Sequence, residues 1–364
     1  MPPSELENTL LERIRQNPFV SQQTLANELG LSRSRVAALL SQLTQQGYLL
    51  GRAYVLPPPR RMVCIGGAVL DRKYTARGPL VVGSSNPVGG SQSYGGVARN
   101  VAENLGRLGA ACAFISVLGD DETARGLLSH LSSAGVDVSG CERIQNGRTA
   151  EYLALLNRSG ELELALADMD IFEALTPTVL ERHTSRFQGA SWVFADCNLP
   201  AQSLSFLLER RRVSRFRLAL DAVSVAKSAR LPASLEGLDL LFLNRDEAAA
   251  LTGISERGDA ALERILNTLH SRGVAEVVLS LGEAGLITSS ADSQTRLNAL
   301  PTRVVDVTGA GDALIAGTLY RLLEGANLTD ACRTGQKLAQ LTLITPHSVY
   351  PQLSSQSLLS EETP

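Results

Sequence analysis

At 364 residues, with 44% hydrophobic and 20% charged residues and a mean hydropathy of +0.03, the chain has room for one large domain and a small one, and can bury a core without staples. Its five cysteines include no CxxC pair and no histidine at ligand spacing, which argues against a disulfide framework or a zinc site. No segment approaches the roughly 20 apolar residues of a membrane span, so a cytoplasmic chain with no membrane partner is expected. The net charge of −3 is uneven: residues 1–61 hold seven arginines against four glutamates, a net +3, leaving −6 for the rest and suggesting two jobs.

The first stretch, SELENTLLERIRQNP, places Leu6, Leu10 and Ile14 on one helical face, and Pro18 ends it. Ser21 then caps a short helix to Glu28, Gly30 turns the chain, and Ser32 caps a second helix running to about Gln46. Leu25, Val36, Leu39, Leu40 and Leu43 are positioned to close a small core. Arg33 and Arg35 sit at the start of the second helix, the end that enters a major groove in helix-turn-helix proteins. GYLLGRAYVLP reads as a two-stranded wing around Gly51 and Arg52, and residues 57–61, PPPRR, as a stiff linker. Residues 1–56 thus resemble a small winged-helix DNA-binding domain, which implies DNA contact through Arg33, Arg35 and Arg52. A three-helix module that docks on protein fits the same pattern, because +3 is a modest charge for phosphate neutralisation.

From Met62 strands alternate with helices: RMVCIGGAVLD, NVAENLGRLGA, CAFISVLGDD and ETARGLLSHLSSAGV, then the buried runs SWVFADCN, FRLALDAVS, LDLLFLN and EVVLSLG. That alternation predicts an α/β layer fold with a mainly parallel sheet over residues 62–355, followed by a tail at 356–364. Ligand sites in such folds gather at the carboxyl ends of the strands. Thr149 to Asp168 breaks the rhythm with two apolar stretches around the turn Asn157–Gly160, a hairpin that reads as a lid or as an edge of the main sheet.

The stretch VVDVTGAGDALIAG, Val304 to Gly317, begins like a buried strand and ends like a buried helix, with Asp312 in its first turn. Free N–H groups at a helix start favour a phosphoryl group, and a carboxylate beside them can take a proton from an attacking hydroxyl. Taken alone, the pattern is equally a plain glycine turn and cap.

A second glycine motif, GGVARNVAENLGRLG at Gly95 to Gly109, lies more than 200 residues upstream. With both motifs in this order, and GGAVLD, LNRDE and LSLGEAG between or before them, the chain resembles the ribokinase (PfkB) carbohydrate and nucleoside kinases. The resemblance implies a ribokinase-like three-layer αβα domain with a small β lid from residues 71–95 and 149–168. It makes Asp312 the catalytic base and gives Gly309, Ala310 and Gly311 the anion hole. It assigns Asp71, Gly95, Gly96 and Asn100 to sugar hydroxyls, and Asn244, Glu247, Ser280, Gly282 and Thr308 to the nucleotide. Glu247 would act through water on Mg2+ carried with ATP, the implied donor, and Asp306 with Val307 would lie where some members bind a monovalent cation such as K+. Asn244 and Glu247 also fit a bland reading as a helix cap and first-turn acid.

Within the family, SSNPVGGSQSYGGVARN, LADMDIFEALTP, FADCNLP and LDAVSVAKS look most like pseudouridine kinases. That subgroup implies pseudouridine as acceptor, read by Ser85, Asp168, Asp170, Asp196 and Asn198, though caps and hinges also explain these residues. Departures at Gly89 to Gln92 and at Asp170 leave another nucleoside or a pentose open, and the extra head leaves open a sensor that controls DNA binding. Lid hairpins of the family often pair between subunits, which implies a homodimer.

Overall fold

The computed structural model describes residues 3–50 and 61–358. The head contains α1 (Glu5–Gln16), α2 (Gln22–Leu29) and α3 (Arg33–Gln45), capped by Ser4, Ser21 and Ser32 through side-chain bonds to backbone N–H groups. Gly30, at φ 64°, ends α2 and allows the sharp turn into α3. Leu10, Ile14, Leu25, Val36, Leu39, Leu40 and Leu43 form the expected core. Residues 48–50 have no regular structure, and the wing, Arg52 and most of the linker lie outside the described residues.

The strands of the body are β1 (Met62–Ile65), β2 (Val69–Ala76), β3 (Val88–Gly95), β4 (Cys112–Ile115), β5 (Val117–Gly119), β6 (Val136–Asp137), β7 (Glu142–Ile144) and β8 (Glu151–Leu156). They continue with β9 (Leu162–Asp168), β10 (Trp192–Asp196), β11 (Arg217–Asp221), β12 (Leu240–Asn244), β13 (Glu276–Ser280), β14 (Leu286–Ser290) and β15 (Gln294–Leu297). Nine of them form the main sheet in the order β15-β14-β13-β12-β11-β10-β1-β4-β6, parallel from β13 to β6, with β14 and β15 antiparallel at one edge. Met62 and Cys64 join one apolar cluster while Val63 and Ile65 join the other, so alternate side chains of β1 feed helical layers on both faces. This is the layered α/β fold that the alternation of elements implied.

The hairpin at 149–168 does not extend this sheet. It pairs with β2 in a separate sheet of order β3-β2-β8-β9, so the two predicted lid segments are one structure. Two readings change. RMVCIGGAVLD is split at Gly66–Gly67 into β1 and β2, which puts Asp71 inside a lid strand, and Val304 and Val305 belong to no strand. They are more than half exposed, because the segment runs over the surface, with the Val305 N–H bonded to the Leu343 carbonyl instead of to a ladder.

Candidate active site

The carboxyl ends of the parallel strands carry the polar residues: Gly66 and Gly67 after β1, Asp196 on β10, Asp221 on β11, Asn244 on β12 and Ser280 on β13. Facing them are α4 (Val97–Arg107), which begins at the Gly95–Gly96 motif, and the helix Ala310–Leu323, which begins at Gly309. The two motifs meet here: the Asn100 side-chain nitrogen donates to the Asp312 carboxylate at 2.5 Å.

Each glycine turn has a steric reason. Gly309 is left-handed at φ 81°, and a Cβ there would strike the Ser348 carbonyl. Gly96 stands at φ 98° with a Cβ direction pointing into the backbone of Gly67 and Ala68. The first-turn N–H groups of a helix lack intrahelical acceptors, and that of Ala310 makes a long bond of 3.3 Å to the Val307 carbonyl. Gly311 and Asp312 line a cavity of about 190 Å³ with Asp221, Asn244, Glu247 and Ser280. The cavity thus joins the expected base to three of the residues expected to serve the nucleotide. Gly282 turns the chain just beyond β13 at φ 61°, and Thr308 is exposed.

Five carboxylates crowd this edge of the sheet. Burial pushes Asp312 up to about 7, with Asp196 and Asp71 adding to the rise while the Asn100 hydrogen bond and the Arg99 charge oppose it. Burial also lifts Asp71 to about 6, against Arg99 and Lys73. Asp221 is raised well above the usual carboxylate range by burial and then by Glu247, Asp312 and Asp196. Sites that need a proton acceptor near neutral pH are built in this way.

Asp196 and Asn198 sit differently from the expectation that they face a base. Asp196 is fully buried, and its carboxylate accepts the N–H groups of Gly67 at 3.0 Å, Ala98 at 2.9 Å and Asn198 at 3.0 Å. It ties the turn after β1 to the start of α4. Asn198 is also buried, and the helix after it begins only at Ala201. Ser85, Asp168 and Asp170 are exposed on the loop after β2, at the end of β9 and just beyond it. Asn244 and Glu247 form a reciprocal capping box, so the helix-cap reading of these two holds in the structure while both still line the cavity.

Asp306 is engaged by Thr308, through its N–H at 2.9 Å and its hydroxyl at 2.7 Å, and by Lys73 of the lid at 2.9 Å. Burial acts to raise the Asp306 carboxyl, but Thr308 and Lys73 outweigh it and hold it below the usual range. Among the described residues no cluster of three or more acids, histidines or cysteines forms a metal cage. The acids around the cavity instead suit a hydrated Mg2+ that keeps most of its waters and binds through phosphates.

Sequence reasoning gave no role to Arg99, Lys73, Asp221 or Val223. Asp221 ends RLALD as Asp196 ends WVFAD, a shared strand-terminal acid that could have marked it. Val223, a β-branched residue at φ 67°, lines the same cavity and had no sequence signal. In the head, Arg33 and Arg35 are exposed at the start of α3, as expected.

Residues 59–353 match the sequence profile of the pfkB family carbohydrate kinases, and residues 4–49 that of winged helix-turn-helix DNA-binding domains. A protein of Escherichia coli (strain K12) named uncharacterized sugar kinase YeiI is 32% identical over 97% of this chain and 98% of its own length. Pseudouridine kinase of the same organism is 31% identical over 82% and 95%. Among solved structures, a carbohydrate kinase from Agrobacterium tumefaciens is 32% identical and superposes with a TM-score of 0.72, covering 82% of this chain and 95% of its own. Arabidopsis thaliana ribokinase complexed with ribose and ATP superposes equally well, at 0.72 over 84% and 98%, and at 20% identity shows the shared fold.

Proposed function

The chain belongs to the pfkB family of carbohydrate kinases, phosphotransferases with an alcohol acceptor and ATP as donor, and we propose that its acceptor is the 5′-hydroxyl of a nucleoside, pseudouridine, giving pseudouridine 5′-phosphate and ADP. The observation that carries the kinase chemistry is the junction of Asn100 with Asp312 over the glycine-opened helix. Pseudouridine is supported by the E. coli pseudouridine kinase, of which this chain covers 95%, and by the subgroup strings around the acceptor side. A guanosine-inosine kinase of Exiguobacterium acetylicum at 25% identity keeps another nucleoside as the second reading.

In this reading Asp71, Gly95, Gly96 and Asn100 hold the sugar hydroxyls. Asp312 takes the proton of the attacking hydroxyl as its oxygen bonds to the γ-phosphorus and the bond to the β-phosphate oxygen breaks. The N–H groups at Gly309, Ala310 and Gly311 face the charge on the transferring group. Glu247 and Asn244 would hold, through water, the Mg2+ carried with ATP, which would supply charge neutralisation for the phosphates. Ser280, Gly282 and Thr308 border the nucleotide. A K+ ion would bind through the backbone oxygens of Asp306 and Val307, beside the Asp306 carboxylate that Lys73 engages.

The head contacts DNA through Arg33 and Arg35, with Arg52, which lies outside the described residues, as a further contact. The relative that covers 98% of its length with this chain spans the head as well. Two copies associate through the lid, whose edge strand β9 exposes Leu162, Leu164 and Leu166.

The test is ADP release from the full chain with magnesium-ATP and pseudouridine, uridine, adenosine, ribose or fructose, beside Asp312→Asn. Turnover of pseudouridine that vanishes in the variant is expected. Tight nucleoside binding without turnover of any acceptor would replace the kinase with a ligand sensor for the head.

A further inference from the structure

Two successive residues of α4 serve neighbouring places. Asn100 reaches Asp312, while Arg99 turns into the wall of a second, larger cavity of about 420 Å³ behind the acceptor side. Arg99 is 1% exposed. Nε donates to the Gly95 carbonyl at 3.2 Å and Nη2 to the Tyr94 carbonyl at 2.6 Å, and the fork also donates to the Glu103 carboxylate and to Oδ1 of Asn100.

A buried arginine is costly, so its retention asks for a reason. Neutralising Glu103 supplies only part of one, because Arg99 shares that carboxylate with Arg107 and His130. Glu103 already accepts from Arg107 at 2.8 Å and faces His130 at 2.9 Å, and although burial acts to raise it, His130, Arg99 and Arg107 hold it down at about 2. Arg99 also joins the two carbonyls that lead into the Gly95–Gly96 turn to the amide oxygen of Asn100. With that oxygen taken, only the amide nitrogen is left to meet Asp312. The reversed amide would set oxygen against carboxylate. The Tyr94 carbonyl also accepts from the Ser348 hydroxyl at 3.2 Å, and the Ser348 backbone packs on Gly309, so one carbonyl links Arg99 to the loop of the anion hole.

We propose that Arg99 is the positioning residue of the phosphoryl transfer: it locks the Asn100 amide and the Gly95–Gly96 turn so that the acceptor hydroxyl and Asp312 meet in a single geometry. This rests on the kinase reading above. Arg99 touches neither substrate. A planar fork is needed because three acceptors at fixed angles must be held at once, which a lysine cannot do. Its charge has a separate effect. Asp312 is faced by Asp71 from β2, Asp196 from β10, Asp221 from β11 and the Arg99–Asn100 pair from α4, and Arg99 is the cation among them.

The test compares Arg99→Met and Arg99→Lys with the wild-type full chain in two measurements. One is steady-state kinetics with acceptor and magnesium-ATP varied in turn, from about pH 5.5 to 9. The other is a carbon-13 NMR titration of the Asp312 carboxyl without substrates, assigned with Asp312→Asn. Arg99→Met is expected to lower kcat/KM for the acceptor about 100-fold, with KM for ATP within about twofold, and to move the acidic limb and the Asp312 titration to higher pH. Arg99→Lys is expected to bring the titration back toward the wild-type pH without restoring acceptor kcat/KM.

Wild-type acceptor kinetics in Arg99→Lys would overturn the proposal, as would a loss in Arg99→Met that falls equally on both substrates and follows its melting temperature. If Arg99→Met does not fold, Arg99→Lys decides. If the wild type turns over no acceptor, that failure belongs to the kinase reading, and an Asp312 that titrates in Arg99→Met at the wild-type pH would separately overturn the role of Arg99.

Discussion

The side-chain amide of Asn100 and the carboxylate of Asp312 stand 2.5 Å apart although 212 positions of chain separate them. The helix that carries each begins at a glycine with positive φ, and the two helix starts converge over the carboxyl ends of the parallel strands. Replacing the base alone should therefore leave the binding surfaces intact. Asp312→Asn is expected to lower kcat by about 10²- to 10⁴-fold, with acceptor affinity by calorimetry within a few-fold of wild type. A variant that kept more than a tenth of the wild-type kcat would remove Asp312 from the role of base.

Asp312 also predicts a pH profile. Lifted from 3.8 to about 7, it is largely protonated at pH 6 and must lose that proton to act, so kcat/KM for the acceptor should rise through about pH 7 and level off above it. A rate independent of pH between 6 and 8 would be incompatible with this carboxyl as the base.

The same shift acts on stability with the opposite benefit. The folded state holds the Asp312 proton up to about 7 while the unfolded chain releases it near 3.8, so the folded state binds more protons in between. The contribution of this group is fully present below 3.8 and is lost as pH rises toward 7. Asp312→Asn should therefore melt higher than wild type at pH 8, by roughly 5 °C, with the gap shrinking to about a third of that at pH 5 and closing below 3.8. Equal melting temperatures at pH 8 would mean that the charged carboxylate is not disfavoured in the fold.

Much of this arrangement was legible because the signals are local. TGAGD and GGVARN mark helix starts by their glycines, and WVFAD, LLFLN and EVVLS are apolar on both faces, as buried parallel strands must be. Less legible was whatever depends on partners distant in sequence. Val304 and Val305 have the composition of a strand, but the Val305 N–H bonds to the Leu343 carbonyl, a partner 38 positions away, and neither valine joins a ladder. Asp196 resembles a ligand-facing acid until the three backbone N–H groups around it are seen. Arg99 sits within the most informative motif of the chain, yet nothing local says that its fork meets the carbonyls of Tyr94 and Gly95.

Gly309 tests the anion hole by geometry instead of charge. An alanine there meets two penalties, a left-handed backbone at φ 81° and a Cβ against the Ser348 carbonyl. Gly309→Ala is expected to cost about 1–3 kcal/mol in urea unfolding. It should also lower kcat at least 10-fold, since the N–H groups at the helix start are displaced from the transferring phosphate. A stable, fully active Gly309→Ala protein would show that the turn serves neither purpose.

The lid makes the last prediction. Leu162, Leu164 and Leu166 on β9 are 58%, 49% and 53% exposed, and Leu164 and Leu166 lie opposite Leu155 and Leu153 of β8 on one face of the sheet. An apolar stripe on an edge strand invites association, and nothing else among the described residues covers it. A second lid would bury these leucines on both sides of a twofold interface. Leu164→Glu should then turn a dimer into a monomer by sedimentation equilibrium, because an unpaired carboxylate at the centre of that contact opposes burial. The cavity that holds Asp312 lies at the ends of the main-sheet strands, so the monomer should keep nucleotide binding even where lid closure weakens the acceptor. A wild type that sediments as a monomer, or a dimer that Leu164→Glu leaves intact, would place any self-association elsewhere on the molecule.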